Sequence, residues 1–158
     1  MQRLIFFLIW IFLASTACTK DHKEISVSPQ EAKPIKRELA NHVEVQHLLI
    51  AFGKTLSGKK VSRTQAQAKK LAEKLYAKAK KNPTQFGRLV RSYSDDQFPG
   101  IYDLANFGVA QKKGEFKRGQ MVSAFGDAAF QLKKGELGLV NYDPKSSPYG
   151  YHIIKRIR

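Results

Sequence analysis

Cysteine is nearly absent from this 158-residue chain: Cys18 stands alone, so no internal disulfide can form and no cysteine-based zinc site can be assembled. Acidic residues are scarce as well, 13 against 28 lysines and arginines, for a net charge of +15. That balance favours an anionic partner, nucleic acid or membrane surface, without choosing between them. Long apolar runs are missing too. The one continuous stretch, residues 4–14 (LIFFLIWIFLA), reaches 14 residues when counted on to Ala17, short of the roughly 20 that a bilayer-spanning helix needs. No internal repeat is visible. With 42% hydrophobic and 11% aromatic residues, wholesale disorder and a multi-span membrane chain are excluded, and the length suits one domain with an appendage.

The short cationic start ending at Arg3, the apolar run and the small residues Ser15, Thr16 and Ala17 form a signal-peptide pattern over residues 1–17. Cys18 follows directly, and LASTAC resembles the lipobox of bacterial lipoproteins, although Ser15 stands where leucine is usual. The expectation is a lipid-modified Cys18 as mature N-terminus; ordinary secretion with a stray thiol is the alternative. Export would remove one charge, Arg3, leaving 27 basic against 13 acidic residues, a balance of +14. The envelope offers anionic lipids and wall polymers, so nucleic acid is disfavoured as a partner. Residues 18–39 are polar, mixed in charge and broken by Pro29 and Pro34, and read as a flexible tether.

The folded part is expected over residues 40–158. In HVEVQHLLIAF, Val43, Val45, His47, Leu49 and Ala51 share one strand face, and both faces turn apolar after Gln46, as in a central strand. Residues 53–60 (GKTLSGKK) read as a glycine-punctuated loop. Thr64 and Gln67 form a T-x-x-Q capping box opening a helix with an apolar stripe of Ala68, Leu71, Ala72, Leu75 and Ala79; the lysines Lys70, Lys74, Lys78 and Lys81 form a solvated face. Asn82 and Pro83 suggest the N-cap and first turn of a second helix that buries Phe86, Leu89, Val90 and Tyr93 and stops near Ser94. A third helix carries Val122, Phe125 and Ala129, and two strands follow, residues 137–142 and 151–157. The order is β-α-α-α-β-β, an α+β fold with helices packed around a small sheet.

Four blocks in this order, VQHLLIAF, YSDD, RGQMVSAFGDAAFQLKKGE and YGYHIIK, together resemble a parvulin-type (PpiC, or rotamase) peptidyl-prolyl cis-trans isomerase domain over the whole of residues 40–158. The resemblance implies non-covalent, cofactor-free catalysis of prolyl rotation, with proline-containing unfolded or extended polypeptides as partners. It implies His47 and His152 as the paired histidines on adjacent central strands, and Asp96, not Asp95, as the acid beside the substrate carbonyl. It implies Met121 and Phe125, at i and i+4, as the apolar cup, Ser147 as the hydroxyl next to the second histidine, and Tyr149 as a rim aromatic. No third ligand accompanies the histidines, so a metal is not expected.

Two departures stand out. Residues 97–113 are expanded where many parvulins carry a GDLG-type run, so the pocket-wall leucine is either Leu104 or missing, with Lys113 in its place. Lys54, Lys59, Lys60 and Arg63 are too dispersed to resemble the cation cluster of phosphate-directed members. The expected function is an envelope isomerase assisting the folding of exported proteins, lipid-anchored and facing the periplasm or exterior. A catalytically weak or silent peptide-binding holdase on the same scaffold is the alternative, and a basic adaptor for anionic polymers is a third class.

Overall fold

The computed structural model describes residues 38–158. The expected signal peptide, Cys18 and the tether as far as residue 37 lie outside the described residues. The central strand β1, His42–Ile50, alternates its burial in the way its sequence requires. Val43 and Val45 point to one side of the sheet, Leu48 and Ile50 to the other, and all four are buried.

Beyond β1, residues 53–60 form no simple loop. Strands β2, Gly53–Leu56, and β3, Lys59–Val61, pair as a separate hairpin across Gly58, whose positive φ of 72° suits glycine. Helix α1, Gln65–Lys81, opens with the expected capping box: the Gln67 N–H donates to Thr64 Oγ1 (3.2 Å), and the Thr64 N–H donates to Gln67 Oε1 (2.8 Å). Its alanines Ala68, Ala72 and Ala79 and Leu75 are buried, letting the helix lie close to the sheet. A 3-10 turn, Pro83–Gln85, comes before α2, Phe86–Tyr93. Asn82 makes no capping bond with its side chain, which instead accepts from the Thr84 hydroxyl at 2.6 Å. Phe86, Leu89 and Val90 are buried as expected, but Tyr93 is 43% exposed, because the chain leaves the helix at Ser94 before the sheet can cover it.

The expected order omitted two strands of the main sheet. The segment after Gly100 forms β4, Ile101–Ala105, antiparallel to β1, and Phe116–Lys117 adds a short parallel strand, β5. Helix α3 spans Ser123–Gln131, followed by β6, Leu137–Val140, and β7, Tyr151–Arg156. The sheet order is β5-β4-β1-β7-β6, with β1 between β4 and β7. The α+β class holds: three helices cover one main sheet. Leu48, Ile50 and Ile153 pack against α1 and α2, whereas Val43, Val45, Leu104 and Ile154 pack against Phe125, Ala129 and Phe130 of α3. The sheet thus separates two apolar clusters, and the α3 side carries the histidines.

Candidate active site

Strand register brings the first two residues together. His47 lies opposite Ile154 and Leu49 opposite His152, so His152 is the diagonal neighbour of His47 on the same face. His152 Nδ1 is 2.9 Å from His47 Nε2, the rings are 16° from parallel, and both are buried. The chain leaving α2 supplies the third residue. Ser94 Oγ accepts from the N–H groups of Leu49 (3.1 Å) and Asp96 (3.2 Å), and the Asp95 N–H donates to Leu49 O (2.9 Å). These bonds staple the segment to the end of β1 and set the two aspartates apart. Asp95 accepts from the Ala51 N–H at 2.8 Å and from Arg63, a structural task, while Asp96 turns toward His47.

Asp96 Oδ2 sits 3.3 Å from His47 Nδ1, in ion-pair range without the alignment of a full hydrogen bond. The Tyr102 hydroxyl donates to the same oxygen at 2.6 Å, and the Gln97 N–H donates to Oδ1 at 2.8 Å. The His47 imidazole first, then Tyr102 and the Gln97 amide, hold the Asp96 carboxyl far below the usual carboxylate range, against the opposing effect of its burial. Burial, then its hydrogen bond to the Asp96 carboxylate and that group's charge, pushes the Tyr102 phenol above its ordinary range. Burial also holds His152 down to about 3, with the neighbouring His47 acting in the same direction and Asp96 opposing.

These directions give the states of three groups at neutral pH. Asp96 is a carboxylate, Tyr102 a neutral donor and His152 a neutral imidazole. His47 presents Nδ1 to the Asp96 carboxylate and Nε2 to His152 Nδ1. His152 Nε2 is buried without a partner. With the three groups committed to one another, none is placed as a nucleophile, and among the described residues no group of three or more His, Cys, Asp or Glu is arranged to hold a metal ion.

These groups line a cavity of about 290 Å³, just below the roughly 300–1,000 Å³ usual for ligand pockets. Its apolar wall comes from Leu49, Leu56, Met121, Val122 and Phe125, with Tyr102 and Tyr149 completing it. Phe125 is 2% exposed and its ring lies 5.0 Å from His47, 5.8 Å from Tyr102 and 5.9 Å from His152, centroid to centroid. Met121 reaches the cavity from the extended residue that ends a 3-10 turn, Arg118–Gln120, and so precedes α3 instead of sharing its face.

Two of the expected lining residues are elsewhere. Leu104 does not line the cavity, nor does Lys113; Leu104 is fully buried in the cluster beneath α3. Ser147 is fully buried too, its hydroxyl donating to Gly150 O at 3.1 Å, so it closes the loop before β7 and makes no bond to His152. Tyr149 does stand at the cavity rim, 46% exposed. Tyr102, Leu49, Leu56, Gln120 and Val122 were not expected there. The I-Y-D-L alternation of residues 101–104 carries the signal for Tyr102, since it puts Tyr102 and Leu104 on one strand face.

A family model of the PPIC-type PPIase domain matches residues 32–157. The chain is 33% identical over 132 residues to a protein of Staphylococcus epidermidis named foldase protein PrsA, covering 84% of this chain and 35% of that one. It is 31% identical over 148 residues to the protein of that name from Bacillus subtilis, covering 91% and 39% respectively. The chain thus spans little more than a third of the length of these relatives. The solution structure of TbPIN1 superposes with a TM-score of 0.56 at 22% identity, covering 75% of this chain and 99% of that one, a likeness of fold. By the matched family and the shared arrangement of sheet and helices, the chain belongs to the PPIC-type, or parvulin, peptidyl-prolyl isomerase domains.

Proposed function

We propose that the chain is a peptidyl-prolyl cis-trans isomerase that assists the folding of exported proteins in the cell envelope. One observation carries this reading: a carboxylate and a bonded imidazole pair open onto an apolar cavity on the same sheet face. Prolyl rotation crosses a barrier of about 18–20 kcal/mol because resonance stiffens the C–N bond. Resonance also puts partial negative charge on the amide oxygen, and twisting returns that electron pair to nitrogen. Phe125, Met121 and Val122 would take the prolyl ring and strip water from the amide. An ionised Asp96 beside the carbonyl oxygen disfavours the planar form, whose oxygen is the more negative, and so narrows the gap to the twisted form. His47 and His152 hold that carboxylate in place and exchange no proton with substrate. No bond is made or broken.

The N-terminal sequence supports an envelope location, and the name foldase carried by the relatives supports the folding role. Residues 1–17 are a lipoprotein signal peptide, Cys18 carries the lipid, residues 18–39 are the tether and residues 40–158 the isomerase domain. The partners are proline-containing unfolded polypeptides and the anchoring membrane. A protein whose slow refolding phase is limited by proline, tens to hundreds of seconds uncatalysed, should refold faster with catalytic amounts of this chain. An unchanged slow phase refutes the activity. Cys18→Ser should release the protein from membranes or leave its precursor unprocessed, and unchanged attachment and processing refute the anchor.

A further inference from the structure

Tyr102 is a polar-tipped cavity residue whose position the known pattern of paired histidines, acid and apolar cup does not explain. It stands two residues before Leu104 on β4. Its ring continues the apolar wall, 5.8 Å from Phe125 on one side and 6.0 Å from Phe116 of β5 on the other. Its hydroxyl reaches the one functional carboxylate at 2.6 Å. We infer that Tyr102 is a positioning residue that fixes the orientation of the Asp96 carboxylate, an inference that rests on the isomerase reading of this cavity.

The geometry around Asp96 makes the hydroxyl more than a spectator. Oδ2 receives the Tyr102 hydroxyl from β4 and lies within ion-pair range of His47 on β1, so it is held from two strands. Oδ1 receives a single backbone donor, from Gln97, and keeps its other direction for substrate. Rotation of the carboxylate would have to break the Tyr102 bond and the His47 contact together. The remaining charged neighbours do not compete: Arg63 and Lys59, on the hairpin side, bind Asp95, and His152 of β7 lies behind His47. From α3 the site is faced by the apolar Phe125. A hydroxyl that donates to an ionised carboxylate stabilises the charged form, so its removal raises the pH at which the carboxylate protonates.

Tyr102→Phe keeps the wall and deletes only the donor. In a peptide isomerisation assay, kcat should fall about tenfold with KM changed less than about twofold, and the acid limb of the rate profile should move up by about one pH unit, as expected for one lost hydrogen bond. Carbon-13 NMR of the Asp96 carboxyl should show the same upward displacement. Combined with Asp96→Asn, the hydroxyl deletion should add almost nothing, because its effect passes through the carboxylate. An Asp96 titration identical in Tyr102→Phe and wild type overturns the inference, and so do losses that simply multiply in the double variant. The titration needs no turnover. An inactive wild type with a displaced Asp96 titration would refute the isomerase reading while leaving the Tyr102–Asp96 bond standing, whereas an active wild type with an undisplaced titration would refute the role of Tyr102 alone.

Discussion

Phe125→Ala tests whether the cavity is a binding cup or ordinary core. The ring is buried at the centre of the site, packed against His47, Tyr102 and His152 and sharing its helix with the buried Phe130. If a prolyl ring loses about 60 Å² of apolar contact when the phenyl group goes, at about 25 cal/mol per Å² the transition state loses about 1.5 kcal/mol. That corresponds to slightly more than a tenfold fall in kcat/KM. The same deletion costs about 3–5 kcal/mol of stability, a large share of the roughly 5–15 kcal/mol a domain possesses, so folding must be controlled. Phe130→Ala is that control. Phe130 lies in the same cluster but does not line the cavity, and its loss should destabilise comparably while leaving kcat/KM within about twofold. The assay is protease-coupled cis-to-trans conversion of an X-Pro peptide, run cold enough that circular dichroism shows both variants folded. Equal losses in the two variants, or wild-type kcat/KM in folded Phe125→Ala, would falsify the cup.

The buried histidine makes acid stability a second test. His152 is held down to about 3 in the fold, against about 6.5 unfolded, so between those values the unfolded chain binds the extra proton. Stability should therefore fall as pH drops below about 6.5, by up to about 1.4 kcal/mol per pH unit, and Asp96 adds a loss of the same sign at still lower pH. Urea midpoints from pH 7 to 4 should show this slope, and His152→Asn should flatten it; parallel slopes contradict the assignment. Gly100 has a φ of +67°, and a Cβ there would lie 2.4 Å from the carbonyl oxygen of His47, the residue whose N–H it accepts at 2.7 Å. Gly100→Ala should cost about 1–3 kcal/mol and lower turnover by displacing His47, whereas Gly108→Ala, with open space around it, should leave turnover unchanged; equal turnover in the two contradicts the coupling.

What the sequence shows readily is local. The alternation of β1, the Thr64–Gln67 cap, the alanine stripe of α1 and the run that forms β7 are each decided by neighbours within a few residues. Pairing is different. The five residues of β4 become a strand because β1, 55 to 63 positions earlier, offers an open edge, and the two residues of β5 depend in turn on β4. Neither dependence leaves a period long enough to read. The site divides the same way. His47, His152 and Asp96 are named by the family resemblance, and strand register then explains why the two histidines meet, but parity cannot say how deep a residue sits. Leu104 and Tyr102 share a face, yet α3 covers the first and leaves the second at the cavity. Met121 reaches the cavity from outside the helix, so the i,i+4 spacing with Phe125 names the right residue for a geometry that the chain does not use.

Two-dimensional NMR exchange on an X-Pro peptide mixed with substoichiometric protein reads the central chemistry without a coupling enzyme. The expected result is cis–trans exchange accelerated by orders of magnitude over the tens to hundreds of seconds of the free peptide, abolished by filling the cavity with a tight-binding prolyl analogue, and accompanied by shifts at His47, Asp96, Met121 and Phe125. Exchange no faster than in the free peptide, with the protein folded and those four residues shifted by binding, would contradict the isomerase and leave a holdase in its place.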